Sequence, residues 1–250
     1  MDWWSESWWI FVLLAFILIG LAAWYAEVQG EKRRTEQLGE SAGRLGFEFE
    51  AEPDAEFSTR IAGFSLLAEG HARKARNVAR RRISDLNVAL FDFRYTTGGG
   101  KTSHTWKQTV LLIESGRLRL SDFTLRPKGF WDGVAATLGK RSIELEAYPS
   151  FAASYRLDGS DRDQVSALFE PVAGYFLKNK DWWIEGHEDQ LLVYRRAQRL
   201  NPDAAQIAAF LRKGLDVVSL WLQKQDPVDP VDLLSLELES VAPPDGPQAV

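Results

Sequence analysis

The chain is predicted to be α+β, with an N-terminal transmembrane helix followed by a mostly antiparallel sheet that has helices packed on one face. Three observations lead there. Residues 7–26 form a mostly apolar run without a charge. Short β-prone segments then follow one another, separated by turn residues. The two strongest helical stripes come late in the chain, an order that favours an antiparallel sheet backed by helices over alternating βαβ units.

Residues 1–6 form a short tail ahead of the run SWWIFVLLAFILIGLAAWYA. About 20 apolar residues rising 1.5 Å each cross a hydrocarbon layer roughly 30 Å thick. Trp3, Trp4, Trp8 and Trp9 stand at one end and Trp24 and Tyr25 at the other, where amphipathic rings favour the two headgroup zones. Asp2 and Glu6 precede the run, whereas Lys32, Arg33, Arg34 and then Arg44 follow it. Lys and Arg resist translocation, so the tail is expected outside and the soluble part in the cytoplasm, as in a single-pass protein of a bacterial inner membrane. A cleaved signal peptide would need a basic start, a shorter apolar stretch and an A-x-A-like exit. The acidic start and the poor Gly20-Leu21-Ala22 match favour an uncleaved anchor. The chain has no Cys, which removes disulfide frameworks and thiolate chemistry.

Residues 27–46 are expected to continue as a juxtamembrane helix with Leu38, Ala42 and Leu45 on one face. Gly30, Gly39 and Gly43 each weaken it by up to about 1 kcal/mol relative to Ala. Residues 47–225 are long enough for a single soluble domain. Strand character marks 47–50, 62–67, 86–95, 108–114, 122–125, 142–146 and 154–157, with a long-looped hairpin between FDFRYTT and KQTVLLIES. Ser160 and Asp163 suggest a capping box ahead of the stripe Val165, Leu168, Phe169, Val172, Tyr175 and Phe176, and Pro171 should bend or shorten that helix. A second hairpin spans Trp182–Glu185 and Leu191–Arg195. Asn201-Pro202-Asp203 signals the start of a last helix, striped by Ile207, Phe210, Leu211, Leu215, Val218 and Trp221. Residues 226–250 hold half of the ten prolines and only acidic charges, so they are expected to be an extended tail. The segments LGESAGRLGFEFE and LFEPVAGYFLKNKDWWIE share a helix-then-strand plan compatible with a duplicated unit.

The net charge of −5 hides a segregation. Residues 71–82, HARKARNVARRR, carry Arg73, Lys74, Arg76, Arg80, Arg81 and Arg82 with no acid among them. Polybasic segments near a bilayer gain roughly 1 kcal/mol per cation from anionic lipid. No aromatics are interleaved for base stacking, which disfavours single-stranded nucleic acid. The competing account is a solvated strand or loop balanced by acids elsewhere, including those of the tail.

Other constellations are weaker. Gly98-Gly99-Gly100-Lys101-Thr102 suggests a phosphate loop, but the earlier Gly of that motif is Tyr95, and a strand rather than a helix is expected next. His71, His104 and His187 share no ligand-like spacing, so no metal or other cofactor is expected. His104 with Asp92 or Ser103 is the one pairing that would support a hydrolase. The most favoured role is a non-enzymatic binding or regulatory module. Its partners would be anionic lipid or an acidic protein, with a scaffold subunit of a membrane complex as a further alternative.

The text GFSLLAEGHARKARNVARRR, LFDFRYTTGGGKTSHTWKQTV, RLRLSDFTLRPKG and YRLDGSD resembles a family of uncharacterised bacterial proteins with an N-terminal membrane anchor and one soluble domain. The resemblance spans roughly residues 40–220. It implies a bacterial inner-membrane setting, and neither a reaction nor catalytic residues.

Overall fold

The computed structural model describes residues 8–128 and 142–225. The terminal tails expected at 1–6 and 226–250 lie outside the described residues. Helix α1 (Trp8–Arg44) runs without a break for 37 residues. Its N-terminal part exposes Phe11, Phe16, Ile19, Trp24 and Tyr25, whereas Leu38 and Ala42 near its C-terminal end are buried. One helix in the described chain, Ile10–Arg44, is long and apolar enough to cross a membrane.

An eight-stranded antiparallel sheet follows, in the order β1-β2-β3-β4-β8-β7-β5-β6. The strands are β1 (Glu48–Glu50), β2 (His71–Ile83), β3 (Leu86–Thr97), β4 (His104–Glu114), β5 (Leu120–Pro127), β6 (Tyr155–Gly159), β7 (Trp183–Glu188) and β8 (Gln190–Tyr194). The first four lie side by side in chain order, and β4 pairs with β8 to join the two halves. Two-residue alternation divides β3 between the faces. Val88 and Leu90 point to one core, and Ala89, Phe91, Phe93 and Tyr95 to the other.

The larger core lies under the C-terminal part of α1 and under α4 (Pro149–Ser154), α5 (Arg162–Phe169), α6 (Ala173–Lys178) and α7 (Ala204–Gln225). Trp221, Phe169, Phe176 and Phe123 form its aromatic centre, with Phe123 edge-on to Phe169 at 4.8 Å. A Cβ at Gly214 of α7 would lie 2.0 Å from Leu111 of β4. Glycine is what lets α7 come so close to the centre of the sheet. On the opposite face α2 (Ala55–Arg60) and α3 (Ser65–Ala68) cover part of the sheet with Phe57, Ile61, Phe64 and Leu66.

Several local expectations are corrected. The strand expected at 62–67 is a turn leading into α3. Phe57, Ile61 and Phe64 recur at helical rather than alternating spacing, and Asp54 accepts from the Phe57 N–H to start α2. Residues 142–146 form no strand; their one tie to β6 among the ladder-like bonds is the Ile143 N–H to the Leu157 carbonyl, at 2.7 Å. Asp161, not Ser160, caps α5, accepting from the Gln164 N–H. Pro171 falls in the break between α5 and α6. The last helix begins at Ala204, with Asp203 accepting from the Gln206 N–H. Upstream, Arg34 binds the Leu200 carbonyl and Ser41 binds the Pro202 carbonyl, so those acceptors hold α1 and are not part of a first helical turn.

Candidate membrane-proximal site

Where α1 leaves its apolar stretch, it meets the sheet through a cluster of charges. Arg34 binds both carboxylate oxygens of Asp92 at 2.8 Å, a bidentate pairing. Arg199, from the connection before α7, bridges Asp92 at 3.0 Å and both oxygens of Glu31 at 2.7 and 2.8 Å. Lys107 of β4 reaches Glu27 and Glu31, both at 3.0 Å. Asn77 and Thr109 donate to Asp92, and Thr35 donates to the Asn77 side-chain oxygen. Five segments of the chain, α1, β2, β3, β4 and the connection before α7, are thus fastened at one point.

The electrostatics follow from this packing. Burial opposes the charge on Asp92, but the hydrogen bond and charge of Arg34, reinforced by Arg199 and Asn77, hold its carboxyl below the usual range. The hydrogen bond from Arg199, with that from Lys107, outweighs partial burial and brings Glu31 down to about 2. Burial works against the Arg199 charge, yet Glu31 and Asp92 raise its pKa. A buried ion pair is costly to form and costlier to break on one side only. This cluster has two guanidiniums for two carboxylates, with neutral donors completing the lone pairs.

The adjoining connection 195–200 is anchored in the same way. Arg195 stacks over Trp182 at 4.7 Å. Arg196 pairs with Glu69 at 2.9 Å and lies over the rings of Trp183 and Trp106 at 5.0 and 5.2 Å. Nothing in the local sequence distinguishes Arg195, Arg196 and Arg199 from solvated charges; only the fold gives them partners.

The basic segment forms β2, and two register shifts, between His71 and Lys74 and between Arg76 and Ala79, divide its cations. Ala72 and Asn77 take positive φ at these shifts, 51° and 55°. Lys74 and Arg76 share Glu52. Arg80 pairs with Glu50 at 3.0 Å and lies over the Phe57 ring at 4.9 Å. Arg81 donates to the Leu45 carbonyl, Arg82 to Ser84, and Arg73 to the carbonyls of Leu67 and Ala68. Arg73, Lys74 and Arg76 lie at the end of β2 near the Glu31–Lys107 contact, whereas Arg80, Arg81 and Arg82 lie toward its far end. The six cations therefore do not make one continuous patch.

His104 is exposed and touches Trp106 edge-on at 4.3 Å. It pairs in register with Thr97, whereas Asp92 pairs with Thr109. Five strand positions, roughly 16 Å, separate the two, so the structure does not bring His104 and Asp92 together. Lys101 sits in a 3₁₀ turn (Gly100–Thr102) that leads into β4. The turn depends on Gly98, at φ +73°, where a Cβ would lie 2.5 Å from the Thr102 carbonyl oxygen. Among the described residues no group of three or more His, Cys, Asp or Glu is placed to hold a metal ion.

A second site was not legible in the sequence. Beyond the edge of α3, the β5–β7 part of the opposite face carries an open cleft of about 740 Å³, lined by Phe64, Trp183, Glu185, His187 and Arg126. Glu185 is buried and accepts from the N–H groups of Ser65 and Leu66 and from the Tyr194 hydroxyl. Burial drives its pKa up to about 7 against those three donors. Asp122 pairs with His187 at 2.7 Å on the rim. The bonds of Glu185 fasten α3 to the sheet, and among the described residues no hydroxyl is bonded to the His187 ring.

No protein-family model, curated protein or solved structure matches this chain.

Proposed function

We propose that this protein is a single-pass membrane protein whose soluble domain is a non-enzymatic binding or regulatory module working at the bilayer surface. The tail would lie outside and the domain in the cytoplasm, as the placement of Lys32, Arg33 and Arg34 favours. The observation that carries this reading is the charged clasp formed by Glu31, Arg34, Asp92, Lys107 and Arg199. A flexible tether would leave the domain free to tumble. An unbroken helix clamped by buried ion pairs gives the domain one orientation relative to the anchor, which is useful when its task depends on which surface faces the lipid.

The basic strand supplies the attraction, through anionic lipid headgroups or an acidic partner. Arg73, Lys74 and Arg76, at the end nearest the anchor, would carry most of it; Arg80, Arg81 and Arg82 contribute to the field from further away. Flotation of residues 28–250 on liposomes tests this, because that fragment retains Glu31, Arg34 and the rest of the clasp except Glu27. A cooperative melt would first establish that it is folded. Binding to anionic but not neutral vesicles, weakened by salt and by Arg73→Ala with Lys74→Ala, is the expected result. Equal behaviour on both vesicle types at low salt would remove the lipid reading and direct attention to protein partners.

A further inference from the structure

The sheet carries an arrangement that folding alone disfavours. Lys74 on β2 pairs in register with Arg94 on β3, and Arg94 pairs in register with Lys107 on β4. Three cations thus stand side by side across three strands, where like charges directly opposite are destabilising. The outer two have acids, Glu52 for Lys74 and Glu27 with Glu31 for Lys107. The central Arg94 is exposed and makes no ion pair among the described residues. Beyond it the hairpin from Phe93 to Lys107 has no acidic residue, and it adds Lys101 at its tip.

The direction of α1 decides what this row faces. Thr35 meets Asn77, and the carbonyl of Leu45 meets Arg81; Glu31 meets Lys107, and Arg34 meets Thr109. Contacts therefore advance together along α1, β2 and β4, so the three run side by side in one direction. Tracing them backwards leads along α1 into its apolar stretch, and along β4 from Lys107 to His104 and the hairpin turn. Three strand residues cover about 10 Å. The helix covers about 7–8 Å between Glu31, its contact with Lys107, and the end of the apolar stretch at Ala26. The hairpin thus spans the depth of the headgroups, its turn reaching the level at which the anchor enters hydrocarbon.

We propose that the β3–β4 hairpin is a second membrane contact, in which Arg94 and Lys101, flanked by Lys74 and Lys107, hold the phosphodiester groups of anionic lipids around the emerging anchor. This rests on the membrane-surface reading above and specifies its ligand chemistry and its place. Anchor and hairpin together make two points of attachment that fix the tilt of the domain. Lipid phosphate then neutralises Arg94, the member of the row that has no acid among the described residues.

The absence of Cys allows a clean test. Full-length protein bearing Ser103→Cys in the hairpin, or Gly116→Cys at the opposite end of β4, is spin-labelled and reconstituted into bilayers with or without phosphatidylglycerol. Depth is read from relaxation by oxygen against a water-soluble nickel complex. The label at position 103 should report headgroup depth in anionic bilayers, and the label at 116 bulk water in both. Arg94→Ala and Lys101→Ala should each shift the hairpin's bound-to-free population roughly fivefold toward water.

Thermal unfolding in neutral lipid separates contact from architecture: Arg94→Ala should leave the melting temperature unchanged or raise it. A label at 103 in bulk water in anionic bilayers would overturn the proposal even if flotation succeeds. So would a depth insensitive to lipid charge, or a marked loss of stability in Arg94→Ala. Headgroup depth at 103 that depends on phosphatidylglycerol sustains it even if the isolated fragment fails to float.

Discussion

Asp92 and Glu185 are both buried carboxylates on the same sheet, one on each face, and their surroundings drive them in opposite directions. Asp92 faces two guanidiniums and stays ionised with its carboxyl below the usual range. Glu185 faces two peptide N–H groups and a tyrosine hydroxyl, and burial raises it to about 7. Dipoles satisfy lone pairs, but they do not compensate lost hydration of a full charge as cations do. The face under α1 is therefore built for permanent charge, and the face under α3 for a proton that can come and go.

The most damaging way to break this contrast is Asp92→Ala, which leaves Arg34 and Arg199 facing each other without their shared acid. Stranding a buried charge costs about 3–5 kcal/mol, a fall in melting temperature of roughly 10 °C for a chain of this size. A calorimetric scan of the full protein in lipid or detergent checks it, and a change of only a degree or two would show that the cluster is dispensable.

Next comes Glu185→Leu, which removes the acceptor for the Ser65 and Leu66 N–H groups and the Tyr194 hydroxyl. The expected loss is about 2–3 kcal/mol, with α3 loosening first, readable as faster amide exchange at Leu66. Glu185→Gln should be milder and should instead reshape the pH profile. The folded-state value of Glu185 is raised, so the folded form holds a proton that the unfolded chain releases above the ordinary value of 4.5. Stability from this group therefore falls as pH rises from 4.5 to about 7, by an amount of order 3 kcal/mol, and is level beyond. The Gln variant should flatten that stretch.

Glu31 has the opposite sign. Its value is depressed from 4.5 to about 2, so its contribution is complete above 4.5 and disappears as pH falls toward 2. Denaturant midpoints measured from pH 2 to 8 would register both slopes, and Arg199→Gln should remove most of the acid one. The smallest effect is expected from Lys107→Ala. Its partner Glu27 is largely exposed and Glu31 keeps Arg199 as its stronger partner, so the loss should be about 1 kcal/mol or less.

How much of this was legible in the sequence depends on how far apart the interacting residues are. Period-two alternation in β3 and β4 and the stripe through Val218 and Trp221 are local, and they marked the right elements. The two short helices α2 and α3 give too little helical period to outweigh the β-prone look of IAGFSLL. The clasp was invisible because Arg34, Asp92 and Arg199 are separated by 58 and 107 positions and meet only once strand order is known. Glu185 ends the expected strand Trp182–Glu185 with no local mark of a buried acid. Nothing in its neighbourhood of the sequence tells that Ser65 and Leu66 will each deliver an N–H group to it. The basic run was visible as composition, but the two bulges that split it between faces were not.

The joint between β4 and β8 has a consequence for how the protein is made. Glu114 pairs with Gln190 and Val110 with Tyr194, so about 80 residues must be synthesised after β4 before its second edge finds a partner. By then the apolar N-terminal stretch has long left the ribosome. For that interval β4 presents an open, apolar strand edge, the kind of surface that invites mispairing between chains. Arg199 follows within five residues of the end of β8, so the last strand to pair and the last cation of the clasp arrive together.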